Sequence, residues 1–324
     1  MNAQSPYPVT AEQFEFLTEA VAAYATIVAA DRVGVLARIE RGAVDVSTLA
    51  RELSLDERST PWLVAALESL GIITRDDVGL YHAAMPNISR LVGLSKMWDG
   101  LDQVLRFGKS LAEGETASGS ANFYPGAVPL LGSVFASAAQ SVAEHLGSVG
   151  ARVLDVGAGA APWSIAVAQH NPNCHVTAVD LSTVIPVTQR AVTAAGVTDR
   201  YDYLSGDVFS LDLGQAAHDL AMAGNFCHLF DEATNRNLLA QLFGTLVPGG
   251  KVAIIDVLPN DELSGPREAI LYGLGLLLRT STGQAYPLSC YTDWLQSAGF
   301  ANVECVRLPS AVPLSLITAR RPQK

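Results

Sequence analysis

From Ala151 onward the chain alternates short apolar or β-rich runs with helical stretches, and this rhythm restricts the fold more than any other feature. Arg152–Val156, Val176–Asp180, Tyr201–Leu204, Asp219–Ala223 and Val252–Val257 read as strands. Breakers such as Gly196 and Pro248-Gly249-Gly250 punctuate the helices between them. Strands that alternate with helices bury both sheet faces when the sheet is parallel and doubly wound, so the expected class is α/β. Asn302–Val306 and Ser315–Ala319 lie too close together for a helix to cross between them. They predict an antiparallel pair, with the last strand running against the rest of the sheet.

The first hundred residues follow another pattern, mostly helical. Ser47 is placed to cap a helix bearing Leu49, Ala50 and Leu53, and Thr60 before Pro61 reads as a second cap. Leu63, Ala66, Leu67 and Leu70 then fall on one helical face, and Gly71 ends it. Ile72-Ile73-Thr74, a turn at Arg75–Gly79 and Leu80-Tyr81-His82 predict a short hairpin. Two helices and a hairpin make a winged helix-turn-helix, which serves either DNA binding or dimerisation. The stretch Thr60–Leu70, in the recognition position, carries Glu68 and neither Lys nor Arg, which favours dimerisation. The helix expected at Gln13–Ala30 has a broad Ala/Val/Ile surface, the mark of an interface, so a homodimer through this region is expected. Between the halves, Gly114–Gly119 reads as a loop, Asn122–Gly126 as an aromatic segment covering a pocket, and Pro129–Leu146 as a helix. The expected divisions are 1–100 for the winged-helix dimerisation domain, 101–147 for a helical linker and pocket cover, and 148–324 for the catalytic domain.

Composition removes other classes. Hydrophobic residues make up 49% of 324 and charged residues 16%, which leaves enough apolar side chain to rule out disorder as the main state. The formal net charge of −11, with no basic patch, opposes nucleic acid and anionic membrane as partners. The apolar stretch Ala20–Ala30 stops at Asp31-Arg32, short of the ~18 residues a spanning helix needs. Met1–Thr10 has no basic or apolar region of a secretory signal. Cys174, Cys227, Cys290 and Cys305 show no C-x-x-C spacing, so neither a disulfide framework nor a zinc site is expected, and the cytoplasm is the natural setting. His82, His145, His170, His175 and His218 have no metal-ligand spacing, and no metal is expected.

Val153-Leu154-Asp155-Val156-Gly157-Ala158-Gly159 closes the first strand of the sheet, where open α/β sheets bind ligands. Gly157 and Gly159 let backbone approach a ligand, yet a G-x-G alone also suits a nicotinamide fold or a tight turn. Three features decide. Ala160-Ala161-Pro162 follows in place of G-x-x-G, and it offers no bare helix N-terminus to a pyrophosphate. Asp180 closes the second strand, where an acid accepts bonds from both ribose hydroxyls. Gly206-Asp207-Val208-Phe209 follows the third, where an acid and a ring hold adenine. A ribose and an adenine without phosphates point to S-adenosylmethionine.

At this point the chain resembles the caffeate/hydroxyindole-type O-methyltransferase family, including its bacterial natural-product branch. The resemblance covers nearly the whole chain. It rests on Ser47–Tyr81, Leu154–Gly159, Val179-Asp180-Leu181, Gly206–Phe209, Cys227–Glu232, Leu246–Gly250 and Ser297–Phe300. It implies a class I S-adenosylmethionine fold behind an N-terminal winged-helix dimerisation domain, with S-adenosylhomocysteine as product. It also implies a cofactor set of Asp155, Gly157, Gly159, Asp180, Leu181, Gly206, Asp207, Val208, Phe209 and Asn225.

His228 follows the fourth strand, on the edge where substrates sit, and Asp256 ends the fifth. Histidine, with an unperturbed pKa of ~6.5, is the natural base for a hydroxyl, and a carboxylate on its other nitrogen fixes the tautomer. The resemblance gives this pair those roles. The plainer alternative for His228 is a start residue of the next helix, with Asp231-Glu232 in its first turn. Trp98, Phe123, Tyr124, Tyr272, Leu276 and Arg279 are expected, by position, to wall the acceptor. The chain departs from the family where Leu229-Phe230 stands for Asp-Trp, Ala285 for a second acid, and Ala161 for a glycine. The expected activity is methyl transfer to a hydroxyl of a small apolar aromatic acceptor. C- or N-methylation, or a non-catalytic S-adenosylmethionine sensor, are the alternatives.

Overall fold

The computed structural model of the chain describes residues 10–84, 92–93, 96–310 and 312–323, without the side chains of 123–127, 129–131 and 133. It forms two compact units, Met1–Lys96 and Met97–Lys324.

In the first unit α1 (Ala11–Arg32), α2 (Val35–Glu40), α3 (Val46–Glu52) and α4 (Thr60–Ser69) precede a hairpin of β1 (Ile73–Arg75) and β2 (Tyr81–Ala83). Thr74 stands opposite His82 in the antiparallel ladder. Leu36, Ile39, Leu49, Val64, Leu67 and Ile73 fill the core. Gly71 ends α4 in the left-handed region (φ +69), and the N–H groups of Gly71 and Ile72 return to the carbonyls of Glu68 and Leu67. Two caps differ from expectation. Asp45, not Ser47, caps α3, its carboxylate accepting the Thr48 N–H at 2.9 Å. Thr60 is already helical, its hydroxyl donating to the Asp56 carbonyl at 2.7 Å, and Ser59 holds the N-cap position. In both places an aspartate ahead of the expected hydroxyl residue accepts a backbone N–H at the helix start, Asp45 that of Thr48 and Asp56 that of Ser59.

The second unit begins with α5 (Leu101–Phe107) and α6 (Ala117–Leu146). The expected loop at Gly114–Gly119 is confined to its first three residues, and in place of a helix starting at Pro129 one helix of 30 residues starts at Ala117. Thr116 caps it, accepting the Gly119 N–H at 3.0 Å. Pro125 and Pro129 each remove a backbone donor. The apolar stripe Ala138, Ala139, Val142 and Ala143, buried in the core, supplies the tertiary packing that sustains the helix beyond its local propensity.

The remaining chain alternates as expected: β3 (Arg152–Val156), α7 (Pro162–His170), β4 (His175–Asp180), α8 (Ile185–Ala194), β5 (Tyr201–Ser205), β6 (His218–Gly224), α9 (Glu232–Thr245), β7 (Leu246–Val257), α10 (Arg267–Leu276), α11 (Leu288–Ser297), β8 (Ala301–Arg307) and β9 (Leu314–Arg320). The sheet order is β5-β4-β3-β6-β7-β9-β8. The first five strands of that order are parallel, β9 runs antiparallel to β7 with Asp256 opposite Ser315, and β8 antiparallel to β9. Strand alternation divides the core: Val153, Met222 and Ile255 pack on one face, Leu154, Ala221 and Ile254 on the other. The order reverses between β3 and β6, which opens a crevice at their carboxyl ends. Among the described residues no helix is long and apolar enough to cross a membrane.

Candidate active site

β3 runs straight into the glycine loop. The N–H groups of Gly157 and Ala158 both return to the Val179 carbonyl of β4, at 2.9 and 3.2 Å. Gly157 (φ +65) and Gly159 (φ +57) are left-handed, and a Cβ on Gly157 would fall 2.3 Å from the Phe226 ring. Both conformation and space therefore require glycine at 157. Ala161, where the family pattern has glycine, also takes φ +54, a conformation costing roughly 1–2 kcal/mol for a residue with a Cβ. Its N–H is spent on Ala158 and Pro162 has none, so the start of α7 offers little to a phosphate.

Asp180 holds the loop from β4. Its Oδ2 accepts the Gly159 N–H at 2.8 Å and its Oδ1 the Leu181 N–H at 2.7 Å. Burial lifts its carboxyl to about 6 against the pull of those two bonds. From the other side the Thr188 hydroxyl donates to the Gly159 carbonyl at 2.6 Å.

A cavity lies beyond these strand ends. Gly157, Gly159, Asp180, Leu181, Gly206, Asp207, Val208, Phe209 and Asn225 all line it. Asp155 does not. It is buried beneath the loop, accepts the Ser164 hydroxyl, and keeps Oδ1 without a partner. Burial, with Asp180 adding to it, raises its carboxyl to about 7. Phe209 and Phe226 meet the Phe230 ring edge-on at 5.1 and 5.0 Å, giving the cavity an aromatic wall. Asn225 is left-handed (φ +54), and neither polar atom of its amide has a partner. The cavity thus brings together a carboxylate at the second strand end, an acid and a ring after the third, and bare glycine backbone.

His228 sits in a 3₁₀ turn, Cys227–Leu229, after β6. Its Nδ1 lies 2.6 Å from Asp256 Oδ1 at the end of β7. Both groups are buried, at 2% and 0% exposure. Asp256 also accepts the Tyr291 hydroxyl at 2.9 Å and the Val257 N–H at 2.9 Å. A carboxylate so placed takes a proton donor on Nδ1 and leaves Nε2 an acceptor. Nε2 faces the Tyr272 hydroxyl at 3.4 Å. His228 is not the helix cap: Asp231 caps α9, accepting the Thr234 N–H at 2.8 Å.

Several supports of this turn carry no local signal in the sequence. Asn235 donates to the carbonyls of Cys227, Phe230 and Asp231, and Thr280 to that of Leu229. Gly283 presses on the turn so closely that a Cβ there would lie 2.1 Å from the His228 carbonyl. Tyr291 reaches Asp256 across 35 residues of chain.

The expected acceptor wall is only partly assembled. Trp98 packs on Gly275, Leu276 is fully buried, and Arg279 lies over the Tyr272 ring at 5.2 Å. These residues and Tyr272 stand outside the cavity lining. Phe123 and Tyr124 belong to α6, but their side chains lie outside the described residues. Leu229 and Phe230 do line the cavity, as do Glu115 and Thr116, which sequence reasoning missed. Their segment is stitched to the chain after α10: Leu111 donates to the Leu278 carbonyl, Gly114 to that of Arg279, and Ser281 to Glu115 Oε1. Among the described residues no three His, Cys, Asp or Glu side chains are grouped to hold a metal ion.

Residues 136–301 match the O-methyltransferase domain family. The 3-hydroxy-5-methyl-1-naphthoate 3-O-methyltransferase of Streptomyces sahachiroi is 36% identical over 159 residues, 49% of this chain and 46% of that one. The L-tyrosine C(3)-methyltransferase of Streptomyces lavendulae is 29% identical over 173 residues, 52% of this chain and 47% of that one. The matched stretch thus spans about half the length of these curated relatives. The crystal structure of human N-acetylserotonin methyltransferase in complex with S-adenosylmethionine superposes with a TM-score of 0.73 at 20% identity, covering 99% of this chain and 100% of that one, a likeness of fold. With a match over half its length, the chain belongs to the O-methyltransferase domain family.

Proposed function

We propose that this protein moves a methyl group from S-adenosylmethionine to a hydroxyl of a small, apolar, aromatic acceptor, with His228 as general base and Asp256 as its orienting carboxylate. The observation that carries the reading is the 2.6 Å contact between two buried side chains at neighbouring strand ends, beside the glycine loop. S-adenosylmethionine, when bound, supplies an electrophilic methyl on a sulfonium.

The chain's own residues do the rest. Asp180 accepts the ribose hydroxyls, Asp207 and Phe209 hold the adenine edge and face, and the Gly157–Gly159 backbone lies against the ligand. The aromatic wall of Phe209, Phe226 and Phe230 excludes water from the methyl's path. Positioning supplies most of the rate, and His228 Nε2 takes the hydroxyl proton. The imidazolium so formed is stabilised by Asp256, whose other oxygen is held by Tyr291.

The naphthoate O-methyltransferase relative supports an aromatic hydroxyl acceptor. The tyrosine C-methyltransferase relative supports the second reading, methyl transfer to ring carbon. Under that reading the same base would remove a phenolic proton to make the ring nucleophilic. Mass spectrometry of metabolites from a strain lacking the gene tests both. O-methylation leaves a species lighter by one methyl with a free phenol, C-methylation one lacking a ring methyl, and an unchanged profile overturns both.

The functional unit is a homodimer formed through the first unit, and it takes no nucleic-acid partner. Phe14, Leu17 and Val21 stand 67%, 56% and 69% exposed along one stripe of α1, an apolar face that a second copy covers.

A further inference from the structure

Three carboxylates line the cavity, those of Glu115, Asp180 and Asp207, and among the described residues neither Lys, Arg nor His lines it. The proposed function assigns Asp180 to the ribose and Asp207 to the adenine, and leaves Glu115 without a role. Glu115 Oε1 accepts the Ser281 N–H at 3.2 Å, and Oε2 is buried with no partner among the described residues. A buried carboxylate oxygen is costly until a donor completes it.

The surrounding chain fixes this side chain in place. The Gly114 N–H donates to the Arg279 carbonyl at 2.6 Å, and the Gly114 carbonyl accepts the Ser120 hydroxyl. The Thr116 hydroxyl donates to the Glu113 carbonyl at 3.0 Å. Two adjacent residues then tie Glu115 to the acceptor side: the Thr280 hydroxyl donates to the Leu229 carbonyl, in the turn that carries His228, at 2.7 Å, and Ser281 donates to Glu115. The cofactor loop lies at the other end of α6. Val128 is 3.4 Å from where a Cβ on Gly159 would stand. It follows Thr116 by twelve residues of helix, about 18 Å along the axis.

We infer, resting on the proposed methyl transfer to an aromatic hydroxyl, that Glu115 binds a basic nitrogen of the acceptor: away from the hydroxyl that takes the methyl, the ring carries an amine that is protonated at neutral pH. An ammonium supplies both the donor that Oε2 lacks and the positive charge that the lining lacks. A neutral donor would complete the oxygen and leave its charge unpaired. Leu229 and Phe230 line the same cavity and offer the ring an apolar face. Glu115 is a specificity residue and not a catalytic one. Its contact is the same in the ground state and the transition state, so it acts on KM and leaves kcat nearly alone. The cofactor has an ammonium of its own, on its methionine end, and the test separates the two sources.

The test compares the full-length wild type with Glu115→Gln, whose amide oxygen still accepts the Ser281 N–H. The acceptors are two matched sets of naphthols, one bearing an aminomethyl arm at each ring position and the other the isosteric ethyl arm. O-methyl product is counted by mass spectrometry, and cofactor affinity is measured by calorimetric titration with S-adenosylhomocysteine. The wild type should favour the best amine over its ethyl isostere by about 10- to 100-fold in kcat/KM, with the difference in KM. In Glu115→Gln that ratio falls to near one, and S-adenosylhomocysteine affinity is unchanged. A wild-type ratio near one overturns the amine assignment, and this arm needs no variant to fold. An amine preference that survives in Glu115→Gln overturns it as well. If Glu115→Gln instead weakens S-adenosylhomocysteine binding and keeps the amine preference, the carboxylate serves the cofactor's ammonium and the assignment falls. Methylation of both sets at equal rates leaves the aromatic-hydroxyl reading standing and overturns the amine alone. Methylation of neither set by a wild type that binds S-adenosylhomocysteine overturns both.

Discussion

Asp180 should govern cofactor affinity in a way that pH reveals. In the protein without ligand its two oxygens already accept the Gly159 and Leu181 N–H groups, and burial holds its carboxyl at about 6. Only the ionised carboxylate accepts from both ribose hydroxyls as well. Hydrogen bonds to a charged group contribute roughly 1.5–3 kcal/mol. Removing the carboxylate therefore weakens binding by about 10- to 150-fold, at 1.4 kcal/mol per factor of ten. Asp180→Ala also frees the Gly159 N–H, which places the loss toward the upper end. With a carboxyl near 6 in the free protein, the wild-type dissociation constant is nearly flat from pH 8 to 7. It rises about tenfold by pH 5 as the proton competes with the ligand. Titration calorimetry with S-adenosylhomocysteine across pH 5–8 measures both effects, and Asp180→Asn should show a flat profile. Wild-type affinity in Asp180→Ala, or a wild-type constant that does not change over this range, would refute the ribose assignment.

Asp155 has the opposite consequence for stability. Its carboxyl is raised by burial to about 7, so the folded state binds its proton more tightly than the unfolded chain. Its contribution to stability is present below the ordinary carboxylate range and is lost as pH rises through about 7, and Asp155→Asn should flatten that decline in urea melts at pH 5 and 8. Tyr291→Phe removes the donor to Asp256 Oδ2 and should cost about 1–2 kcal/mol in denaturant unfolding, with a smaller loss of turnover than Asp256→Asn gives. Gly157→Ala forces a Cβ toward Phe226 in a left-handed conformation and should abolish detectable S-adenosylhomocysteine binding; binding at wild-type strength would mean the loop is not the cradle. Light scattering should give about twice the chain mass of 34.2 kDa, and Leu17→Glu with Val21→Glu should halve it.

The sheet was legible because its central strands are buried on both faces and bounded by glycines and prolines, so the ends of most strands fall within a residue or two. Asp180, Asp207 and the Gly157–Gly159 loop were legible for the same reason: each sits where a strand ends, and strand ends are what periodicity locates. β7 extended six residues earlier than expected, through Pro248-Gly249-Gly250, because Arg321 and Arg320 pair with that turn from the far end of the chain. The helix through Pro125 and Pro129 was hidden because breakers act locally and the burial of Ala138–Ala143 does not. Asp155 carries a motif position yet lies under the loop, since β3 alternation points it away from the cavity and toward Ser164. Tyr291, Asn235, Thr280 and Glu115 act across long chain separations, and no spacing rule reaches them. The same holds for Tyr272, whose place against His228 depends on how α10 packs.

The central claim is that His228 removes a proton from a hydroxyl as the methyl arrives. Wild type and His228→Ala, given S-adenosylmethionine labelled with ¹³C in its methyl group and an aromatic hydroxy acid, test it directly by the carbon shift of the product and by turnover. The account expects the label as a methoxy carbon, a fall in turnover of about 10²-fold or more in the variant, and S-adenosylhomocysteine affinity left intact. Label on ring carbon or nitrogen, or wild-type turnover in His228→Ala, would contradict it.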